Sequence, residues 1–319
     1  MKRCAFLLML MLSVVSIRAQ YVSALQPQQS YDTYLHWGSA FQHLDVALSL
    51  GTSGIGVDVA TPLCDWAQLR LGYEFMPPLT KNFSVPVYAG DNNEDFEAMR
   101  SYISTKYNYK MPRYVDMEGE LTMNNLKLLV DFYPLPDNKK LHVTAGFYYG
   151  SSQIAKIATD GSAKATLSYI TAFNHLFETV DDGDARLDIG MAGLYWGKFD
   201  RDITDDDGGV IHKQGDSYLM QPSADNTIDI PVKTNSFKPY LGVGYELGLQ
   251  KKNDKDVWKL SIDAGAMFWG GTPSMYTPDG YNLTKDITDI PGKKGDKINL
   301  IKKLIIYPVI GVRLVRNIF

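Results

Sequence analysis

The sequence predicts an all-β chain, a single transmembrane antiparallel up-and-down β-barrel of about ten strands, with eight as the alternative, joined by short periplasmic turns and long extracellular loops. Three observations lead there. Apolar and polar residues alternate with a period of two over successive segments. No segment after the first twenty residues offers the ~18 apolar residues in a row that a membrane-crossing helix needs, and mean hydropathy is only −0.18. The connections fall into a short set and a long set, and walking back from the C-terminus the longest all fall at one end, as in a barrel whose strands turn only every second residue to lipid.

Residues 1–19, MKRCAFLLMLMLSVVSIRA, place Lys2 and Arg3 ahead of an apolar stretch and Ala19 before Gln20. This is the pattern of a cleaved secretory signal peptide, too short to act as a membrane anchor. Its loss removes Lys2, Arg3 and Arg18, so the formal net charge falls by three, from −4 to −7. Such a chain is not expected to bind nucleic acid. Cys4 goes with the leader and leaves Cys64 alone, so no internal disulfide can hold the exported protein together. Residues 20–41 read as a periplasmic lead-in, rich in Gln, Ser and aromatics, and residues 42–319 as the barrel.

The strands are expected, in order, at 44–50, 55–63, 67–75, 122–133, 141–149, 165–177, 187–199, 237–249, 257–269 and 304–319. The alternation is clearest over 257–269, where Trp258, Leu260, Ile262, Ala264, Ala266 and Phe268 oppose Lys259, Ser261, Asp263 and Gly265. Trp258 and Phe268 are ten residues apart, about 33 Å of strand and about 25 Å of height once tilted, so they are assigned to the aromatic girdles at the two water boundaries. Over 237–249 the odd positions from Phe237 to Leu249 are apolar, and KKNDK makes the turn to the next strand. The segment 165–177 is the weakest of the set, and if 165–199 is an external insertion eight strands remain. A soluble β-sandwich also alternates. The sorting of loop lengths separates the two, with 76–121, 200–236 and 270–302 long and 64–66, 134–140 and 250–256 short.

The strings LGTSGIGVDVATPL, LKLLVDFYPLPDNKKLHVTAGFYYG and FKPYLGVGYELGL resemble the uncharacterised porin-like barrel families of Gram-negative envelopes, in a style similar to that of the Bacteroidota. The resemblance covers about a third of the exported chain. It implies an outer-membrane location, with membrane lipids and the barrel-assembly machinery as partners, and it carries no substrate or active site. The terminal Phe319 on an apolar strand resembles the assembly signal of such barrels, although it falls in phase with Arg313 rather than with Leu304, Ile306, Ile310, Val312 and Leu314.

On the faces assigned to the lumen stand Asp45, Asp58, Gln68, Arg70, Glu74, Lys127, Asp131, His142, Asp188, Glu246, Lys259 and Asp263. A barrel of eight to ten strands is narrow enough for side chains to fill, and buried charges there must be paired. The alternatives are a structural polar core and a thin path for small solutes that favours cations. Asp202, Asp205, Asp206 and Asp207 are candidate ligands for a hard divalent ion, although their spacing is not that of an EF-hand. In the tyrosine-rich loop from Pro77 to Leu121, Asn93 is expected to start a short helix with Phe96, Met99 and Ile103 on one face.

Three functions are weighed: a porin-like or structural barrel, a surface binding protein that takes an external ligand on loops 77–120 and 200–236, and an outer-membrane enzyme. No nucleophile elbow of the G-x-S-x-G type occurs, and satisfied polar or surface roles account for His36, His43, His142, His175 and His212. Neither catalysis nor a cofactor is therefore expected.

Overall fold

A computed structural model describes residues 43–90, 93–135, 139–179, 190–252 and 255–318. The leader, the lead-in, Asp188 and Phe319 lie outside these residues, and so does His36. Eight strands close into an antiparallel barrel: β1 Asp45–Gly51, β2 Gly54–Cys64, β3 Ala67–Phe75, β4 Asn124–Phe132, β5 Leu141–Gly150, β6 Phe237–Lys252, β7 Lys255–Phe268 and β8 Ile306–Asn317. Each strand pairs with the next except where β8 closes on β1, with Leu48 opposite Leu314.

The number of strands is therefore eight, the alternative of the two. Residues 165–177 form no strand but lie in a helix, Lys164–Thr179, and the period-two segment near 187–199 becomes the strand Ala192–Phe199 outside the barrel. The helix wins at 164–179 because Leu167, Ile170 and Phe173, three residues apart, are all buried, a helical spacing that a strand would split between its two faces.

Period two sorts the barrel's side chains. Leu48, Leu50, Val57, Leu71, Leu126, Val243, Leu247, Ile262, Ile310 and Val312 are all exposed on the outside. A contiguous apolar exterior of this extent is not tolerated by a monomer in water, but it suits hydrocarbon. Aromatics bound it. At one end Trp66 stacks on Phe132 and Trp258 sits against Arg316; at the other Phe147 packs on Phe237, near exposed Phe75 and Tyr149.

The short connections gather at the end that also carries His43 and Ile318. The three long ones, after β3, β5 and β7, leave from the opposite end, where the β1–β2 turn is the one tight hairpin. These three fold together into a cap. Its sheet runs in the order Ser217–Met220, Ala192–Phe199, Leu79–Ala89, Tyr114–Leu121, Gln153–Thr159, Asp229–Lys233 and Ser274–Met275, with Ile287–Thr288 on the side of Ala192–Phe199. Helices α1 Asn93–Tyr107, α2 Lys164–Thr179 and α3 Gly292–Lys303 complete it.

Helix α1 arises as its sequence indicates, with Phe96, Met99 and Ile103 buried on one face. Asp160 opens the short turn before α2 by accepting from the amides of Ser162 and Ala163. Asn174 then ties α2 to the sheet, accepting from Ala192 N and donating to Ala192 O, both at 2.8 Å. The core of the cap, with Val85, Met117, Leu167, Ile170, Trp196 and Met220, runs without a break into Leu129, Tyr148, Tyr240, Met267 and Val309 inside the barrel. The long-loop end of the lumen is thus stoppered by packed apolar side chains.

Candidate functional site: the charged lumen

The inward faces of the barrel strands combine large polar residues with small ones, and the small ones make the room. A Cβ on Gly72 would lie 2.0 Å from Asp58 Oδ1 and 2.6 Å from Lys127 Cε, and one on Gly244 would lie 2.2 Å from His142 Nε2. Gly242 and Gly265 stand in the same relation to the Tyr240 hydroxyl. Gly72→Val is therefore expected to lower the unfolding free energy by about 1–3 kcal/mol or more by overpacking. Gly161→Val, with no atom within 4 Å, should leave it unchanged; urea midpoints of the refolded variants check both.

Towards the short-turn end, Lys259 lies 3.3 Å from Glu246 and 4.0 Å from Asp45. Gln68 donates to Asp45 at 3.1 Å and accepts from the Tyr133 hydroxyl at 2.8 Å, while Asn317 donates to the other Asp45 oxygen. At mid-height Asp263 gathers three partners: Arg313 Nε at 2.8 Å, Arg70 at 3.8 Å and His142 Nε2 at 3.0 Å. Arg70 also donates to Asp131 at 2.7 Å, and Thr144 donates to the same Asp131 oxygen at 2.6 Å. Towards the cap, Lys127, only 2% exposed, bridges Asp58 at 2.8 Å and Glu74 at 2.5 Å. Fully buried Lys238 donates to Asn125 Oδ1 at 3.0 Å and to the Ser151 carbonyl at 3.1 Å.

The structure brings Asp45, Asp58, Gln68, Arg70, Glu74, Lys127, Asp131, His142, Glu246, Lys259 and Asp263 into the lumen as three adjacent groups, around Asp45, Asp263 and Lys127. Arg313, beside Asp263, and Lys238 were not among the candidate site residues. The signal for Arg313 was the parity of the last strand: once Ile310, Val312 and Leu314 face out, Arg313 must face in. Buried ions are tolerated when each meets an opposite charge, which is the arrangement at Asp263, Lys127 and Lys259.

Between these side chains little space is left. A cavity of about 30 Å³ lies among Ser49, Arg70, Glu74, Lys127 and Tyr148, and another of about 10 Å³ among Asp45, Asp58, Gln68 and Glu246, with Arg313 lining both. The smaller has room for about one water molecule and the larger for a few at most. The wall that bounds them on the β1–β2–β8 side carries small residues inward, among them Ala47, Ser49, Ala60 and Gly311.

No known family profile and no curated protein matches the chain. Among solved structures, it is similar to the Acinetobacter baumannii proteins CarO2 and CarO. The first likeness has 15% identity and a TM-score of 0.38 and covers 86% of this chain and 98% of that one. The second has 15% identity and a TM-score of 0.37 and covers 85% and 96%. Neither is close enough to bear on function, which rests on this chain's own geometry.

Elsewhere the candidate residues have local work. Asp205 accepts from the amides of Asp207 and Gly209, and Asp202 from that of Gln214, so these two carboxylates shape their loop rather than converge on an ion. Among the described residues no three His, Cys, Asp or Glu side chains come together as a metal site. His212 stacks on Phe199 at 4.5 Å inside the cap, and exposed His175 lies on α2. The Tyr218 hydroxyl donates to Asp279 at 2.7 Å, and its pKa is pushed up by burial first and by that carboxylate second.

Proposed function

We propose that the chain is an outer-membrane β-barrel with a closed lumen, whose structural task is to anchor and present the extracellular domain folded from its three long loops, and that an external ligand would be taken by that domain. The observation that carries this reading is the coincidence of two seals. Ion pairs and charged hydrogen bonds occupy the lumen from Asp45 to Lys238, and apolar packing continues from Tyr148 and Tyr240 into the cap. The outward apolar face and its aromatic borders support the membrane setting.

No catalytic step belongs to this reading. His142, fully buried against Asp263, is out of reach of any external substrate.

In planar bilayers the refolded protein is expected to give a closed trace at moderate voltage of either sign, and regular open-channel steps would contradict it. In intact cells, Gly208→Cys in a cap loop should react with a membrane-impermeant maleimide. Labelling only after lysis would reverse the orientation. A second reading, slow passage of water-sized solutes, is favoured by the two cavities that share Arg313. It predicts conductance in Arg313→Ser that the parent lacks.

A further inference from the structure

We infer that helix α3 binds the phosphate groups of lipids in the leaflet at the long-loop end, an inference that rests on the membrane reading above. Its sequence, GKKGDKINLIKK, holds five lysines against Asp296 as its one acid, in a chain of net charge −4. Ile298 is buried and Ile301 packs on the cap core, which fixes the inward side. Lys297, Leu300 and Lys303, each three residues from the next, form one exposed strip at about 60° steps around the helix.

Chain connectivity sets the height of this strip. Only Leu304 and Ile305 separate Lys303 from Ile306, the first residue of β8, so Lys303 stands within about 11 Å of the top of that strand's lipid-facing row of Ile306, Ile310, Val312 and Leu314. Leu300 is 60% exposed and Ile305 56%, extending that row upward onto the helix. The exit from the helix is held in place, since Trp269 N donates to Ile305 O at 3.1 Å and the Trp269 ring stacks on Tyr307.

A leucine flanked by two lysines at the edge of an apolar band is what a helix lying in a membrane interface presents. The leucine enters the acyl boundary, and the ammonium groups reach the headgroup phosphates. Among the described residues neither Lys297 nor Lys303 forms an ion pair. Lys302, by contrast, is held inside, donating to Ile287 O at 2.7 Å. The ligand chemistry is thus a phosphorylated lipid headgroup, met by charge from α3 and by apolar contact from Leu300 and Ile305.

The test uses the full exported chain in phosphatidylcholine vesicles doped with diphosphorylated lipid A or with its dephosphorylated form, followed by gentle detergent extraction and native mass spectrometry of the retained lipid. Wild type should retain the phosphorylated form selectively. Lys297→Gln with Lys303→Gln should weaken that retention by about thirty-fold, about fivefold for each lysine. Lys213→Gln, in the acidic loop of the cap, should not change it. Equal retention of both lipids by the wild type, wild-type retention by the double variant, or an equal loss in Lys213→Gln would each overturn the inference. Failure of the membrane reading would look different, because the wild type would not insert into either kind of vesicle.

Discussion

Asp263→Ala is expected to lower the unfolding free energy by about 3–5 kcal/mol, the effect of leaving buried charge uncompensated. Asp263 is the partner of Arg313 at 2.8 Å, of His142 at 3.0 Å and of Arg70 at 3.8 Å. Without it Arg313 keeps the Ser261 hydroxyl at 3.0 Å as a neutral acceptor, and Arg70 keeps Asp131. The measurement is the urea midpoint of the refolded protein, read as the fraction that migrates as the compact form on an unheated gel. Removing the charge on both sides, in Asp263→Ala with Arg313→Leu, should recover most of the loss, because an apolar pair needs no compensation. A loss under about 1 kcal/mol for the single variant would mean that these groups are hydrated and the lumen is an aqueous path.

The second large effect is expected in the cap. Trp196 is 0% exposed and meets Phe83 edge-on at 6.4 Å, on the strand that links both halves of the cap sheet through Leu79–Ala89. Trp196→Ala should cost about 3–5 kcal/mol through the lost burial and the cavity left behind. The loss should fall on the cap, since the barrel's own ladders do not include this strand. Protease should therefore cut the cap of this variant at temperatures where the wild type resists, while the barrel still migrates as the compact form. If cap and barrel were lost together at one midpoint, the cap would be part of the barrel's folding unit rather than a domain carried by it.

The barrel could be read from the sequence because its signal is local. Ile262 out and Asp263 in is decided by neighbours in the chain, and the same rule orients β1 to β8. What period two cannot specify is the sheet to which a strand belongs. Ala192–Phe199 alternates well enough to pass as a barrel strand, yet both of its faces are largely buried because it lies inside the cap. The strand Leu79–Ala89 was hidden for the opposite reason. Its first four residues are exposed and polar-rich, and alternation is seen only from Val85 onward.

Helix α2 misled through its composition, since Thr166, Ile170 and Thr171 favour strands and only the spacing of Leu167, Ile170 and Phe173 speaks for a helix. In the lumen the charged residues could be enumerated but not their partners. That Asp263 rather than Asp131 gathers Arg313, Arg70 and His142 depends on the register between strands, which sets Asp263 opposite Gly244 across a hairpin and opposite Gly311 across a long connection and so leaves room around it.

In a lipid-embedded barrel with a sealed lumen, Val243 and Ile262 face lipid while Gly244 and Asp263, one residue on, face a closed polar interior. Replacing Cys64 with serine, introducing single cysteines at Val243, Ile262 and Ser261, and attaching nitroxides in reconstituted vesicles measures this orientation. Collisions with oxygen should exceed those with a water-soluble nickel chelate at Val243 and Ile262, and neither reagent should reach the label at Ser261. Ready access of the nickel chelate to Val243 and Ile262 would contradict that orientation.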